Sequence, residues 1–153
     1  MTPAPKPRAG SGGGRRLSRE LVLRALYQWH AQGSGLAALQ SDMAEQEDYA
    51  QANAGFFVEL LTGVLKHIDE LDAALAPHLD RKVEELSPIE HGCLLIGAYE
   101  LGHTLNVPYK VAINEAVNLA KAYGGTDGHK FVNGVLDKLA RVTRATEVVA
   151  ENR

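Results

Sequence analysis

The sequence predicts an all-α fold of six to seven helices. Apolar residues recur at helical spacing along most of the chain, and glycines, prolines and capping signals divide it into segments of helix length. No segment sustains the period-2 alternation of a strand, and no internal repeat is present.

Residues 1–14 hold three prolines and four glycines and read as a disordered N-terminal arm, too poor in apolar surface to offset the entropy of ordering. The first helix is expected to start near Leu17-Ser18, with Ser18 as N-cap and Leu17 and Val22 as a hydrophobic staple. Val22, Ala25, Leu26 and Trp29 form its apolar stripe, Arg19, Arg24 and Gln28 its polar face, and Tyr27 its edge. Gly33 ends it. A short second helix is expected over Leu36 to Met43, with the acidic stretch from Glu45 to Asp48 as a solvated connection.

From Tyr49 the period strengthens. Phe57, Leu60, Leu61, Val64, Ile68, Leu71 and Leu75 share one face until Pro77, a span long enough to expect a break near Lys66 to Asp69. Ser87-Pro88-Ile89-Glu90 then gives an N-cap serine, proline at the first helical position and glutamate at the third, a capping box. The helix it opens is apolar or small nearly all round, which predicts burial in the middle of a bundle. Asn106-Val107-Pro108 marks a restart, and Val111 to Tyr123 runs to a stop at Gly124-Gly125. The last strong helix runs from about Gly128 to Arg144 on Val132, Val135, Leu136, Leu139 and Val142. The expected helical domain spans 15–145, with 146–153 as a C-terminal tail.

At 153 residues and 45% apolar, the chain makes one domain with a real core. It has no run of eighteen apolar residues and no secretory signal pattern, so a cytoplasmic protein without membrane association is expected. Cys93 is the single cysteine, which excludes an intramolecular disulfide and a thiolate metal site. Net charge is −3, but it is unevenly placed. Through Arg24 there are six basic residues against one acid, Glu20; the remainder carries ten basic and eighteen acidic residues. A basic end suits a polyanion, and an acidic body suits a basic partner.

Catalytic chemistry finds little support. None of His30, His67, His78, His91, His103 and His129 pairs with another histidine at i+3 or i+4, so no metal site is expected, and they read as surface or boundary residues. The glycines from Gly10 to Gly14 lack the strand and lysine-serine pair of a phosphate loop. Gly124-Gly125-Thr126 reads as a helix stop rather than an anion site. The acids of Glu84-Glu85 and Glu45-Glu47-Asp48 sit among polar neighbours, and Cys93 reads as a core residue. No enzyme and no cofactor are expected. Asn114, Glu115, Asn118 and Lys121 are placed on the exposed side of one helix. Asp127, Lys130 and Asn133 open the next, beside Phe131, an aromatic suited to stacking on an unpaired base.

Five segments resemble one family. They are RRLSRELVLRALYQW from Arg15, FFVELLTGV from Phe56, SPIEHGCLLIGAYEL from Ser87, VPYKVAINEAVNLAKAYG from Val107 and HKFVNGVLDK from His129. In this order, over about residues 15 to 142, they resemble the NusB transcription antitermination family. The resemblance implies two packed three-helix halves and a non-enzymatic factor that binds boxA RNA together with NusE, a small-subunit ribosomal protein. The pair would join other Nus factors on RNA polymerase and support transcription of ribosomal RNA operons. It implies RNA contacts from Arg15, Arg16, Arg19, Tyr27, Lys121, Asp127, Lys130 and Phe131, and NusE contacts from Glu90 and Tyr99. A homodimer that hides the RNA surface is an option such a family allows. Leu95 and Gly97 depart from it, where arginine and alanine are common. Rival readings are the related domain fused to ribosomal RNA cytosine methyltransferases, disfavoured because no cofactor-binding domain follows, and a helical adaptor without an RNA role, which would have no use for the basic segment.

Overall fold

The computed structural model describes residues 12–125 and 127–151. The expected arm therefore lies outside the described residues over 1–11, as do Thr126 and the last two positions. Among the described residues the structure is helical throughout, with eight α-helices and no strand: α1 Arg15–Gln32, α2 Leu36–Ala44, α3 Ala54–Lys66, α4 Ile68–Leu75, α5 Pro88–His103, α6 Tyr109–Tyr123, α7 Gly128–Thr143 and α8 Ala145–Glu151. Short 3-10 turns lie at Gly12–Gly14, Tyr49–Gln51, Ala76–His78 and Val83–Glu85. The chain forms two compact units, one up to Lys66 and one from His67.

In the N-terminal unit α1, α2 and α3 pack on one another around Leu21, Leu26, Leu39, Phe57 and Leu61. Helix α1 starts earlier than expected, and Ser18 is not its cap. The cap is Gly14, at φ 86°, a left-handed conformation that glycine adopts without strain. A Cβ there would lie 2.6 Å from the Gln51 carbonyl oxygen and 2.7 Å from the Asn53 nitrogen, so the chain requires glycine for space as well. Ser18 is buried inside α1 instead. Its hydroxyl donates to a carbonyl, with Gly14 O at 3.0 Å and Asn53 O at 2.7 Å, and accepts from the Asn53 N–H at 3.0 Å. That bond ties the first turn of α1 to the start of α3, where Asn53 Oδ1 accepts from the Phe56 N–H at 3.0 Å. Gly33 ends α1 at φ 66°, as the sequence predicts.

The break expected near Lys66 falls at His67, between α3 and α4. In the C-terminal unit α5, α6 and α7 pack on one another, α4 lies on α5 and α7, and α8 lies on α7. The Ser87 capping box forms as predicted: Ser87 Oγ accepts from Glu90 N–H at 3.1 Å, and Glu90 Oε1 from Ser87 N–H at 3.4 Å. Helix α5 is buried from His91 to Ala98. Gly97 lets this happen, because a Cβ there would meet Leu136 Cδ1 at 2.5 Å and Ala116 Cβ at 3.2 Å. An alanine at this position would not fit without movement.

Four expectations need correction. His91 is buried, not a boundary residue; its Nε2 lies 2.7 Å from Asp72 Oδ1, which joins α5 to α4. Glu115 is buried rather than on the exposed side of α6. Val111 and Val142 are exposed, since the apolar stripes of α6 and α7 rotate away from them at 100° per residue. The stretch expected as a tail instead forms α8, the helix beyond the expected count. Arg144 is the reason. Its guanidinium, buried, donates to Leu101 O at 2.7 Å, Val107 O at 2.9 Å, and Glu100 O and Thr104 O at 3.1 Å each. These include Leu101 O, in the last turn of α5, where a helix carbonyl has no N–H of its own helix to accept from. Glu147 of α8 then takes both Arg144 Nη1 at 2.6 Å and the Tyr109 N–H at 2.8 Å. The Tyr109 N–H and the Arg144 cation hold its carboxyl below the usual glutamate range.

Candidate nucleic-acid interface

The basic start of α1 is built on an aromatic. Arg15 and Arg19 both set their guanidinium over the Phe56 ring, at 4.7 and 5.0 Å from its centre. Phe56 lies at the base of α3, where the Asn53 cap fixes the helix entry. Arg15 and Arg16 are half-buried, whereas Arg19 is only 5% exposed. Tyr27, three turns along α1, is 52% exposed. Arg24 does not add to this charge. Asp48 grips it through two bonds of 3.1 Å, which neutralises it and fastens the acidic connection to α1. Gln28 is likewise taken, by Asp42 at 2.6 Å.

The C-terminal unit gathers a second group at the start of α7. Asp127 and Lys130 are both well exposed and lie 3.6 Å apart, an ion pair of small energetic value. Lys121 is exposed near the end of α6. Phe131 is half-exposed, and one of its faces is covered by Arg81, whose guanidinium carbon lies 4.3 Å from the ring centre. Arg81 is aimed by Asp80, with Nε 2.8 Å from Oδ1. That hydrogen bond lowers the Asp80 carboxyl below its ordinary value and raises the guanidinium. Arg81 was absent from the residues expected from sequence, because its contact joins a loop to a helix far along the chain.

Glu90 serves as the third residue of the α5 capping box and approaches the start of α7, where a Cβ on Gly128 would be 3.6 Å from its Oε2. Tyr99 stacks on His103, 4.8 Å between ring centres at 16°. Nine positions along the helix separate Glu90 from Tyr99, which is about 14 Å and about two and a half turns. The two expected partner contacts therefore lie on opposite sides of α5 and do not form one patch. Cys93 is buried and its thiol is pushed up to about 12 by desolvation, the state of an inert core residue. Among the described residues no helix is long and apolar enough to cross a membrane.

The NusB family model matches residues 16–141. The chain belongs to the NusB family. The transcription antitermination protein NusB of Methylobacillus flagellatus is 53% identical over 144 residues, 94% of each chain, and that of Thiobacillus denitrificans is 52% identical over 136 residues, 89% of this chain and 94% of its own. Among solved structures, NusB of T. maritima superposes with a TM-score of 0.74 at 27% identity, covering 83% of this chain and 90% of that one. A chain from a crystal structure of antitermination factors NusB and NusE in complex with dsRNA does so at 0.71 and 25% identity, covering 83% and 96%. The NusB family is an RNA-binding, non-enzymatic one.

Proposed function

We propose that this NusB family member is an antitermination factor that binds boxA RNA jointly with a NusE-type ribosomal protein. The pair then joins the other Nus factors on RNA polymerase in the cytoplasm and sustains transcription of ribosomal RNA operons. The observation that carries the reading is the α1 basic end held over Phe56, a fixed cationic surface of the kind that meets phosphates. Arg15 and Arg16 contact the backbone, Arg19 holds the Phe56 platform in place, and Tyr27 offers an exposed ring. Lys121, Asp127, Lys130 and Phe131 are a second group of RNA contacts, in the C-terminal unit. In this reading α1–α3 form one three-helix half and α5–α7 the other, with α4 and α8 as additions.

A few cations give salt-sensitive attraction without reading sequence, whereas unpaired bases are read along their edges or by stacking. A basic second protein suits the acidic body beyond Arg24, with Glu90 and Tyr99 as separate contacts on two sides of α5, and coupling two weak binders raises affinity. The NusB–NusE–RNA neighbour supports such a partner. A homodimer would serve as a storage form. Fluorescence anisotropy with single-stranded boxA, scrambled and duplex RNA, with and without NusE, tests the proposal. Preferential boxA binding that tightens with NusE is expected; equal binding to all three in both conditions would sink it.

A further inference from the structure

The C-terminal unit brings together three metal-ligating side chains that sequence spacing did not pair: His67 before α4, Glu70 in its first turn and His103 at the end of α5. Glu70 Oε2 lies 3.0 Å from His67 Nδ1, and its Oε1 lies 3.7 Å from His103 Nε2. One donor atom from each residue falls within 4.8 Å of the others. We propose that His67, Glu70 and His103 form a binding site for a divalent first-row transition ion, with Zn²⁺ as its test ion.

The ligand set is the first argument. Two imidazoles and a carboxylate suit Zn²⁺ and its neighbours and do not suit Ca²⁺ or Mg²⁺, which take oxygen. The second is geometry. Zn–N bonds of about 2.0–2.1 Å in a tetrahedron put ligand atoms about 3.3 Å from one another. The two observed separations, made with different oxygens of Glu70, bracket that value, and with all three donors within 4.8 Å of one another, closing the site draws them in by up to about 1.5 Å. The third is proximity. The two imidazoles lie 4.7 Å apart and Tyr99 stacks on His103, which keeps the ligand furthest away in sequence beside the other two, and binding turns the rings until both in-plane lone pairs meet at one point. About a third or less of each histidine side chain is exposed, while Glu70 is largely exposed. An ion can therefore enter from solvent, and the fourth position is open to water. The signal in sequence was His67-x-x-Glu70, a histidine and a carboxylate at i+3; His103 could be added only by the packing of α4 on α5.

This inference is independent of RNA binding, and its test uses the full chain without an affinity tag. Isothermal titration with ZnCl₂ is expected to show one ion per chain. Glu70→Gln and His103→Gln should each weaken that binding more than about tenfold, since even groups behind the ligands are worth about 10–100-fold. Glu70 is exposed, so its variant keeps the fold, as circular dichroism would show. In parallel, substoichiometric Zn²⁺ should shift the imidazole NMR signals of His67 and His103 and leave those of His30, His78 and His129 in place. Binding unchanged in His67→Gln/His103→Gln, or no stoichiometric binding by the wild-type chain, would overturn the site.

Discussion

Each unit sets a guanidinium on a phenylalanine, and the two arrangements differ in which partner stays available. In the N-terminal unit the ring is the buried member: Phe56 supports Arg15, half-buried, and Arg19, buried, and only the former keeps a cationic edge outward. In the C-terminal unit the ring is half-exposed, and its arginine, Arg81, is already engaged by Asp80. The first geometry presents charge and the second presents an aromatic surface whose cation is neutralised. Under the proposed function, phosphate attraction would fall chiefly to α1 and base contact to the start of α7.

The largest expected effect breaks the first half of that contrast. Arg15→Glu with Arg16→Glu should weaken RNA binding about a hundredfold near 0.1 M salt and flatten the slope of log affinity against log salt by about two. Lys121→Gln with Lys130→Gln should do less, because the Asp127 carboxylate beside Lys130 repels a phosphate and offsets part of its charge. Anisotropy titrations over a salt series compare them, and equal slopes for the two pairs would erase the distinction. Arg19 is left out of the first pair because it is buried, and reversing it would test folding instead.

Gly14→Ala comes next and sharpens the comparison from the stability side. A left-handed φ and close backbone neighbours at 2.6–2.9 Å both oppose a Cβ, so a loss of about 1–3 kcal/mol is expected in urea unfolding. The strain would fall where α1 begins, so RNA affinity should drop through the arginines without any charge being altered. Unchanged stability would mean that the first turn of α1 rearranges freely.

These two variants also mark where the sequence was legible. Local signals were read well: the Ser87 box, the Gly33 stop and the His67 break depend on residues within one turn of each other. The family segments placed Arg15, Arg16 and Phe131 as candidates. What failed was set by long-range contacts. Ser18 has the chemistry of a cap, but Asn53 across the unit captured its hydroxyl. Residues 145–151 have weak helical period, and it is Arg144 bonding back to the end of α5, with Glu147 bonded to Arg144 and to the Tyr109 N–H, that holds them as a helix. Arg24 looked like part of the basic face until Asp48 neutralised it. Charge counting along the chain does not report which charges are already paired.

A smaller effect addresses the aromatic half. Phe131→Leu keeps the apolar bulk against Arg81 but removes the π-face, so a stacked base should cost about 1–3 kcal/mol of RNA affinity with the salt slope unchanged. A reduced slope instead would place Phe131 with the electrostatic group. An unchanged affinity would leave it as a platform for Arg81 alone.

The smallest expected effect has the opposite sign. Asp80→Asn removes the carboxylate that neutralises Arg81 while keeping its shape, so RNA affinity should rise by a factor of about two to three, with a slope steeper by up to about one. The same release by acid is confined to low pH. The hydrogen bond from Arg81 lowers the Asp80 carboxyl from its ordinary 3.8, so protonation requires pH to fall below that value and through the lower folded one. From pH 5 to 8 the pair stays charged, and RNA binding should show no titration from it. If Asp80→Asn weakened binding, Asp80 would be acting by aiming Arg81 rather than by neutralising it. Both units would then present oriented cations, and the contrast between them would reduce to the exposure of one ring.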